Sequence, residues 1–143
     1  MPITGLDMAR TLRAARASLQ FGAFAGTVRP MEDAGYMHQA IVAAREAAAA
    51  GDVPVGAVIV DHASSRVVAV AGNRVEQDND PTAHAELLAI RMAARELSAP
   101  RLSDCDLYVT LEPCAMCAQA IALARIGRLF FGAYDPKGGG VEH

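Results

Sequence analysis

The sequence predicts an α/β fold whose central sheet is mixed and is covered by helices on both faces. Two short valine-rich runs separated by a turn-like segment predict a hairpin. Further along the chain, two more β-forming runs alternate with segments of helical periodicity. A hairpin followed by strands that alternate with helices combines antiparallel and parallel pairing in one sheet. The length of 143 residues fits one domain able to bury a hydrophobic core.

The first half of the predicted fold is a helix followed by the hairpin. Apolar side chains recur at helical spacing over residues 37–50, and Gly51 ends the pattern. Residues 55–60 and 67–70 are β-branched runs, and residues 61–65 between them are turn-like. We therefore expect a helix, a strand, a turn and a second strand in that order.

The second half is predicted to alternate helices and strands. A polar loop leads into a helix that closes before Pro100, and Pro113 opens the next helix. The predicted segments are a loop over 73–82, a helix over 83–97, a strand over 107–111, a helix over 114–124 and a strand over 129–132. The loops that lead into the two helices then meet at one edge of the sheet, where we expect the functional side chains.

Composition and charge exclude several classes of function. Hydrophobic residues make up 52% and charged residues 20% of the chain, and no run of about 18 apolar residues occurs, so we expect no membrane span. The formal net charge is −3, and residues 31–143 alone sum to −6. Such a domain is not a generic binder of nucleic-acid phosphates. Any RNA that it binds must be held by a shaped pocket and a few placed cations.

Residues 1–30 differ in composition from the rest of the chain. They contain four arginines and one acidic residue and are rich in alanine and glycine. This composition is compatible with a non-functional extension ahead of a start at Met31, with a targeting segment, or with a docking helix. We therefore place the functional domain at residues 31–143 and leave the role of the extension open.

The cysteines indicate metal binding or catalysis rather than disulfides. Cys105, Cys114 and Cys117 follow no apolar secretory segment. This pattern argues against a disulfide scaffold and for a reducing compartment, and we expect a cytoplasmic protein.

Two short motifs open the two predicted helices. One is His84-Ala-Glu86 and the other is Pro113-Cys-Ala-Met-Cys117. Each alone is weak evidence, because His-x-Glu is usually a surface or core polar pair and Cys-x-x-Cys is also found in redox pairs and structural zinc sites. Together they match the signature of the zinc-dependent nucleobase deaminases.

The spacing of these side chains fits a metal site. Cys114 and Cys117 stand three residues apart and share a helix face, and the first helical turn favours thiolates. His84 supplies a third, neutral ligand. Residues two apart on a regular helix do not face each other, so His84 and Glu86 converge only if the metal lies beyond the helix end.

Cys105 is not expected to complete a closed structural site. Six strand steps from Cys105 to Leu111 span about 20 Å, far beyond a Zn–S bond of about 2.3 Å.

Three protein ligands leave a position for water, whose pKa zinc lowers toward about 7. Glu86 is then the natural proton carrier. A structural zinc, a redox dithiol, and a Glu86 that only complements the helix dipole remain alternatives.

From about Met37 to Glu142 the sequence resembles the tRNA adenosine deaminases of the cytidine deaminase superfamily. The matching runs lie at residues 53–60, 72–74, 80–86, 107–117, 124–126 and 132–137. The resemblance implies a three-layer α/β/α fold, a homodimer, one zinc ion per subunit, and hydrolysis of the wobble adenosine to inosine in a tRNA anticodon loop. It also implies that His84, Cys114 and Cys117 are the zinc ligands and that Glu86 is the proton shuttle.

The same resemblance assigns substrate contacts. Asn73 matches the position that hydrogen-bonds the target base, and Val53 and Pro54 match pocket walls. Asp135 and Lys137 match a loop that meets the flanking nucleotide. Residue types alone leave simpler alternatives open, because Gly-Asn after a strand is often only a turn and a charged loop is often only solvated.

Members of the resembled family generally continue past the region of Val141 into another sheet segment and a C-terminal helix that helps to hold RNA, whereas this sequence ends at His143. We expect the chemistry to be retained and RNA affinity and stability to be lower. Two other functions remain open: a free-base or nucleoside deaminase acting on guanine or cytosine, and an inactive zinc-stabilised module that binds RNA or a dimer partner. Residues 110–112 and 135–137 favour the tRNA enzymes.

Overall fold

The computed structural model describes residues 30–142, with side chains from residue 34 onwards, so the interpretations of residues 1–29 lie outside the described part. In chain order the elements are helix α1 (Pro30–Ala49), strand β1 (Gly56–Asp61), strand β2 (Val67–Gly72), helix α2 (Val75–Asp78), helix α3 (Ala85–Glu96), strand β3 (Cys105–Val109), helix α4 (Ala115–Ala124) and strand β4 (Arg128–Phe131). Within this described part, no helix combines the length and apolar character needed to cross a bilayer.

The four strands form one mixed sheet in the order β2-β1-β3-β4. Strand β1 pairs antiparallel with β2 and with β3, and β3 pairs parallel with β4. Strand β1 therefore begins at the edge where the other three strands end, near Gly56, Gly72, Val109 and Phe131. We call this the convergent edge. The predicted hairpin and mixed sheet are confirmed.

Helices cover both faces of the sheet. Because strand side chains alternate between faces, the two faces bury different residues. On one face Met37 and Ala40 of α1 pack against Val58, Val60 and Tyr108 of the sheet. On the other face Ala89 and Ala93 of α3 and Ile121 of α4 belong to a larger cluster with Ala57, Ile59 and Leu107 of the sheet. The three-layer α/β/α arrangement expected from the resemblance is confirmed.

Small residues let α1 lie directly against the hairpin. A Cβ atom at Gly56 would lie 2.0 Å from the carbonyl oxygen of Ala40, and one at Gly72 would lie 2.7 Å from that of Ala43. Ala40 and Ala43 are themselves buried. This close approach holds the start of β1 and the end of β2 in a fixed position at the convergent edge.

The structure differs from the sequence-based elements in three places. Helix α1 begins at Pro30, seven residues before the predicted start, and proline suits a first helical position. The segment predicted as a polar loop contains α2, none of whose side chains is buried. Strand β3 lies two residues earlier than predicted, and its regular pairing ends at Val109. Thr110 N–H still donates to Gly56 C=O at 3.0 Å, but Gly56 N–H donates to the Thr110 hydroxyl at 3.1 Å.

Candidate active site

The candidate metal ligands stand at the starts of α3 and α4. His84 is the N-cap residue of α3, with φ −72° and ψ 148°, and Cys114 is the N-cap residue of α4, with φ −68° and ψ 170°. Neither side chain caps its own helix. Cys117 lies in the first turn of α4 and is buried. The loops that lead into the two helices meet as the sequence predicts.

These three side chains form a group that can hold one metal ion. The distance from His84 Nδ1 is 3.7 Å to Cys114 Sγ and 3.5 Å to Cys117 Sγ, and all three atoms lie within 4.8 Å of one another. A tetrahedral zinc ion with ordinary Zn–N and Zn–S bonds places nitrogen and sulfur about 3.6 Å apart. The donor set and its spacing therefore fit zinc, and no other such group of three occurs among the side chains described, those of residues 34–142.

His84 and Glu86 converge although they stand only two residues apart. His84 precedes the helix in an extended conformation, whereas Glu86 lies in its first turn and is 3% exposed. The carboxyl group of Glu86 contacts the Cys117 thiol. Burial raises the pKa of Glu86, and His84 and Cys117 only partly oppose this effect. Glu86 is thus a buried carboxyl group beside the ligands and suited to retaining a proton.

Burial of Cys117 opposes the effect of the first helical turn, which by itself favours a thiolate. Burial, the nearby Glu86 carboxylate and Cys114 raise the pKa of the Cys117 thiol well above its ordinary value. The helix N-terminus alone is too weak to offset this desolvation. A bound divalent cation reverses the balance, so thiolate formation at Cys117 is coupled to metal binding.

Cys105 lies apart from this group, as predicted. It begins β3, whereas Cys114 follows the other end of that strand. The four steps of β3 alone cover about 13 Å. Cys105 is 2% exposed, and burial raises the pKa of its thiol, so it behaves as a small core side chain.

Asn73 and its neighbours lie at the convergent edge. Asn73 follows the last residue of β2 and is 4% exposed, and its backbone N–H donates to Val55 C=O at 2.9 Å. Its Nδ2 donates to Asp52 Oδ1 at 2.7 Å. Val53 is 56% exposed, and Pro54 beside it is also exposed. No sequence pattern indicates the Asp52 contact, because an acidic residue after Gly51 is typical of any loop.

The loop after β4 is fastened to the start of α4 by Glu112. This carboxylate is 2% exposed and accepts hydrogen bonds from the N–H groups of Asp135 at 3.1 Å and Glu142 at 2.9 Å. Asp135 Oδ1 in turn accepts from Lys137 N–H at 2.9 Å, and Lys137 is exposed. A Cβ atom at Gly139 would lie 2.4 Å from the Glu112 carboxylate. The Glu112 carboxylate therefore anchors both ends of the loop, whose tip at residues 136–138 is exposed.

Comparison with known proteins identifies the family. The model of the cytidine and deoxycytidylate deaminase zinc-binding region matches residues 30–133. The tRNA-specific adenosine deaminase of Agrobacterium fabrum is 56% identical over 107 residues, which are 75% of this chain and 69% of that protein. A solved structure from studies of A-to-I editing by tRNA:A34 deaminases at the wobble position has a TM-score of 0.75 and 55% identity, covering 78% of this chain and 84% of that one. The guanine deaminase of Bacillus subtilis has a TM-score of 0.66 and 44% identity, covering 70% of this chain and 63% of that one.

The matched region contains the His84, Cys114 and Cys117 group together with Glu86 and Asn73. It covers well over half of the chain, from the start of α1 to just past β4. This chain belongs to the family of proteins that carry the cytidine and deoxycytidylate deaminase zinc-binding region.

Proposed function

We propose that this chain hydrolyses the wobble adenosine of a tRNA anticodon loop to inosine, with residues 31–143 as the catalytic domain. The observation that carries the reaction type is the His84, Cys114 and Cys117 group with the buried Glu86 against Cys117. The substrate follows from the similarity to tRNA-specific adenosine deaminases at 46–56% identity.

The metal is one zinc ion per chain, held by His84, Cys114 and Cys117. The match of the N–S distances to tetrahedral coordination supports this ligand set. When bound, zinc supplies a Lewis acid and an activated water at neutral pH. Three protein ligands leave one position open for the reacting water.

Glu86 moves the protons. Hydrolysis replaces the C6 amino group by oxygen, so adenosine and water become inosine and ammonia. A carboxylate at this place takes a proton from the water, passes it to a ring nitrogen and assists departure of the amine. The burial that raises the pKa of Glu86 helps it to hold the proton between these transfers.

The substrate base enters at the convergent edge. An enzyme of this kind acts on an unstacked base, which must fit a pocket and be held by polar contacts. We assign Asn73 to the base, Val53 and Pro54 to the pocket wall, and Asp135 and Lys137 to the flanking nucleotide. The fixed loop at Glu112 and the exposed Lys137 support the last assignment. With a net charge of −6 over residues 31–143, phosphate attraction depends on such local cations.

The active form is proposed to be a homodimer in the cytoplasm. Met116 and Leu123 stand seven residues apart on α4 and are 37% and 71% exposed, so α4 presents apolar side chains to a partner. The three cysteines are free thiols, which suits a reducing compartment. Sedimentation of the wild type and of Leu123→Glu tests the dimer, and a monomeric wild type would contradict it.

A second candidate function is deamination of free guanine. The 44% identity to the Bacillus subtilis guanine deaminase favours it over other free bases. The deciding experiment measures ammonia release from a panel of tRNA anticodon stem-loops, with inosine formation as confirmation, and from adenine, guanine and cytosine as free bases. Turnover of one stem-loop and not of the bases supports the proposal. Turnover of guanine alone supports the second candidate, and zinc binding without any turnover supports a binding module.

A further inference from the structure

A buried carboxylate, Asp52, lies beside Asn73 at the convergent edge. Asp52 is 7% exposed and belongs to the loop between α1 and β1. One of its oxygens, Oδ1, accepts from Asn73 Nδ2 at 2.7 Å. The other, Oδ2, accepts from the N–H groups of Glu76 and Gln77, both at 3.1 Å, and from Gln77 Nε2 at 3.4 Å. Both oxygens are therefore committed to donors.

These contacts determine the orientation of the Asn73 amide. An ionised carboxylate only accepts hydrogen bonds, so the Nδ2 side of the amide must face Asp52. Burial tends to raise the pKa of Asp52, but the hydrogen bonds from Gln77, Asn73 and Glu76 outweigh it and lower that pKa. Asp52 is thus ionised at neutral pH, and its acceptor character is permanent there.

The side-chain oxygen of Asn73, Oδ1, is left for a ligand. The bonds of Asn73 use its Nδ2, its N–H and its backbone C=O. Among the described residues, no buried side-chain nitrogen or oxygen lacks a partner, so Asn73 Oδ1 reaches solvent rather than being sealed inside the protein. The Oδ1 acceptor therefore remains for a bound base.

We propose that Asp52 is a positioning residue for the reaction: it fixes the Asn73 amide so that Oδ1, and not Nδ2, is presented to the substrate base. The proposal rests on the proposed role of Asn73 in base binding. It assigns to Asp52 no contact with the base itself. Its effect on turnover is transmitted through Asn73.

The substitution Asp52→Asn distinguishes this role from general support of the loop. The asparagine side chain has one acceptor oxygen where aspartate has two. Three donors converge on the Oδ2 position and one on the Oδ1 position, so the oxygen should take the Oδ2 position and the NH₂ group should face Asn73. The backbone N–H groups of α2 cannot turn away, whereas the Asn73 amide can rotate by about 180° about its terminal torsion. We therefore expect Asn73 to flip and to present a donor where the wild type presents an acceptor.

The experiment is a double-mutant cycle on the full-length zinc-loaded protein. Asp52→Asn, Asn73→Ala and the double variant are compared for kcat and KM on the accepted stem-loop. Asp52→Asn should lower kcat/KM by about 10- to 100-fold, with zinc content unchanged. The double variant should match Asn73→Ala within about twofold, because contacting residues couple. Asp78→Asn is the matched control, since Asp78 lies on the same short helix, α2, and pairs with the exposed Arg74.

A rescue and a spectrum complete the test. Combining Asp52→Asn with Asn73→Asp reverses the donor and acceptor of the pair and returns an acceptor to the pocket, so kcat/KM should rise above that of Asp52→Asn alone. In the free wild-type protein one Asn73 side-chain amide proton should resonate downfield, and Asp52→Asn should abolish that shift.

The proposal would be overturned if the two substitutions lowered kcat/KM multiplicatively, as independent residues do. An Asn73 side-chain amide signal that is the same in Asp52→Asn as in the wild type would also overturn it. Because the amide signal is measured without substrate, it tests Asp52 even if no stem-loop is deaminated. In that event the cycle is run on the free base that is turned over. A failure of the tRNA assignment and a failure of the Asp52 proposal are thus separate results.

Discussion

Replacing Glu112 by glutamine tests whether the loop after β4 must be held in place for RNA binding. In the wild type, Oε2 accepts from Asp135 N–H at 3.1 Å, and Oε1 accepts from Val141 N–H at 3.3 Å and Glu142 N–H at 2.9 Å. Glutamine keeps the size of the side chain but has one acceptor and one donor. Its oxygen is best placed at the Oε1 position, where two donors meet, so the new amide group faces Asp135 N–H.

The expected cost follows from that mismatch. One charge-assisted hydrogen bond is replaced by a contact between two donors at a side chain that is only 2% exposed. Leaving such a buried donor unsatisfied costs about 1–3 kcal/mol, which corresponds to about a 5- to 150-fold change in an equilibrium constant. Since the affected segment carries Asp135 and Lys137 and not the metal ligands, the loss should be in KM for the stem-loop.

The assay compares wild type, Glu112→Gln and the control Glu142→Gln, whose carboxylate is on the exposed end of the same loop. We expect Glu112→Gln to raise KM for the stem-loop about 5- to 150-fold, to speed amide hydrogen exchange over residues 133–142, and to leave zinc content unchanged. Loss of kcat or zinc with unchanged KM and unchanged exchange would refute the assignment of Glu112 to the loop.

Three further predictions concern metal, packing and pH. Cys117→Ala should lose zinc and lower the free energy of unfolding, whereas Cys105→Ala should keep zinc, as measured by metal analysis; zinc loss from folded Cys105→Ala would refute the ligand set. Gly56→Ala should lower the free energy of unfolding, measured by denaturant titration, by about 1–3 kcal/mol or more, because the new Cβ would clash with Ala40 C=O. The control Gly35→Ala on α1 places its Cβ in open space and should not lower the free energy of unfolding. Hydrogen bonds from Thr82 lower the pKa of Asp80 in the folded protein. The free energy of unfolding that Asp80→Ala loses should therefore be largest above the unfolded pKa of about 3.9 and should shrink as the pH falls through the lower folded pKa. A loss that grows on acidification would contradict this prediction.

Periodicity in the sequence was sufficient to predict the layers of the fold. The hairpin and α3 follow strict patterns, and their predicted bounds lie within about two residues of the observed ones. Helix α2 was missed because it is four residues long and buries no side chain, so no apolar period marks it. The end of β3 was misplaced because Leu111 extends the apolar run in the sequence. In the structure the regular strand pairing ends at Val109, and Gly56 N–H donates to the Thr110 hydroxyl.

The metal group was predictable because its residues stand in two short motifs. What the sequence could not indicate is the support behind the site. Asp52 contacts Asn73 across 21 positions, and Glu112 contacts Asp135 across 23. Such contacts depend on which loops the sheet brings to the convergent edge, and no local pattern encodes them. The raised pKa of Cys117 likewise depends on burial by the folded chain.

The most direct test of the account is the turnover of Glu86→Ala, measured beside wild type and the exposed α3 control Glu96→Ala, with zinc content determined on the same samples. We predict that Glu86→Ala keeps its fold and about one zinc per chain, because His84, Cys114 and Cys117 are untouched. Its kcat for inosine formation should fall by about 10²- to 10⁴-fold, since the carboxyl group that carries the protons beside the ligands is removed. A zinc-loaded Glu86→Ala variant that retains more than about a tenth of wild-type turnover would contradict the account.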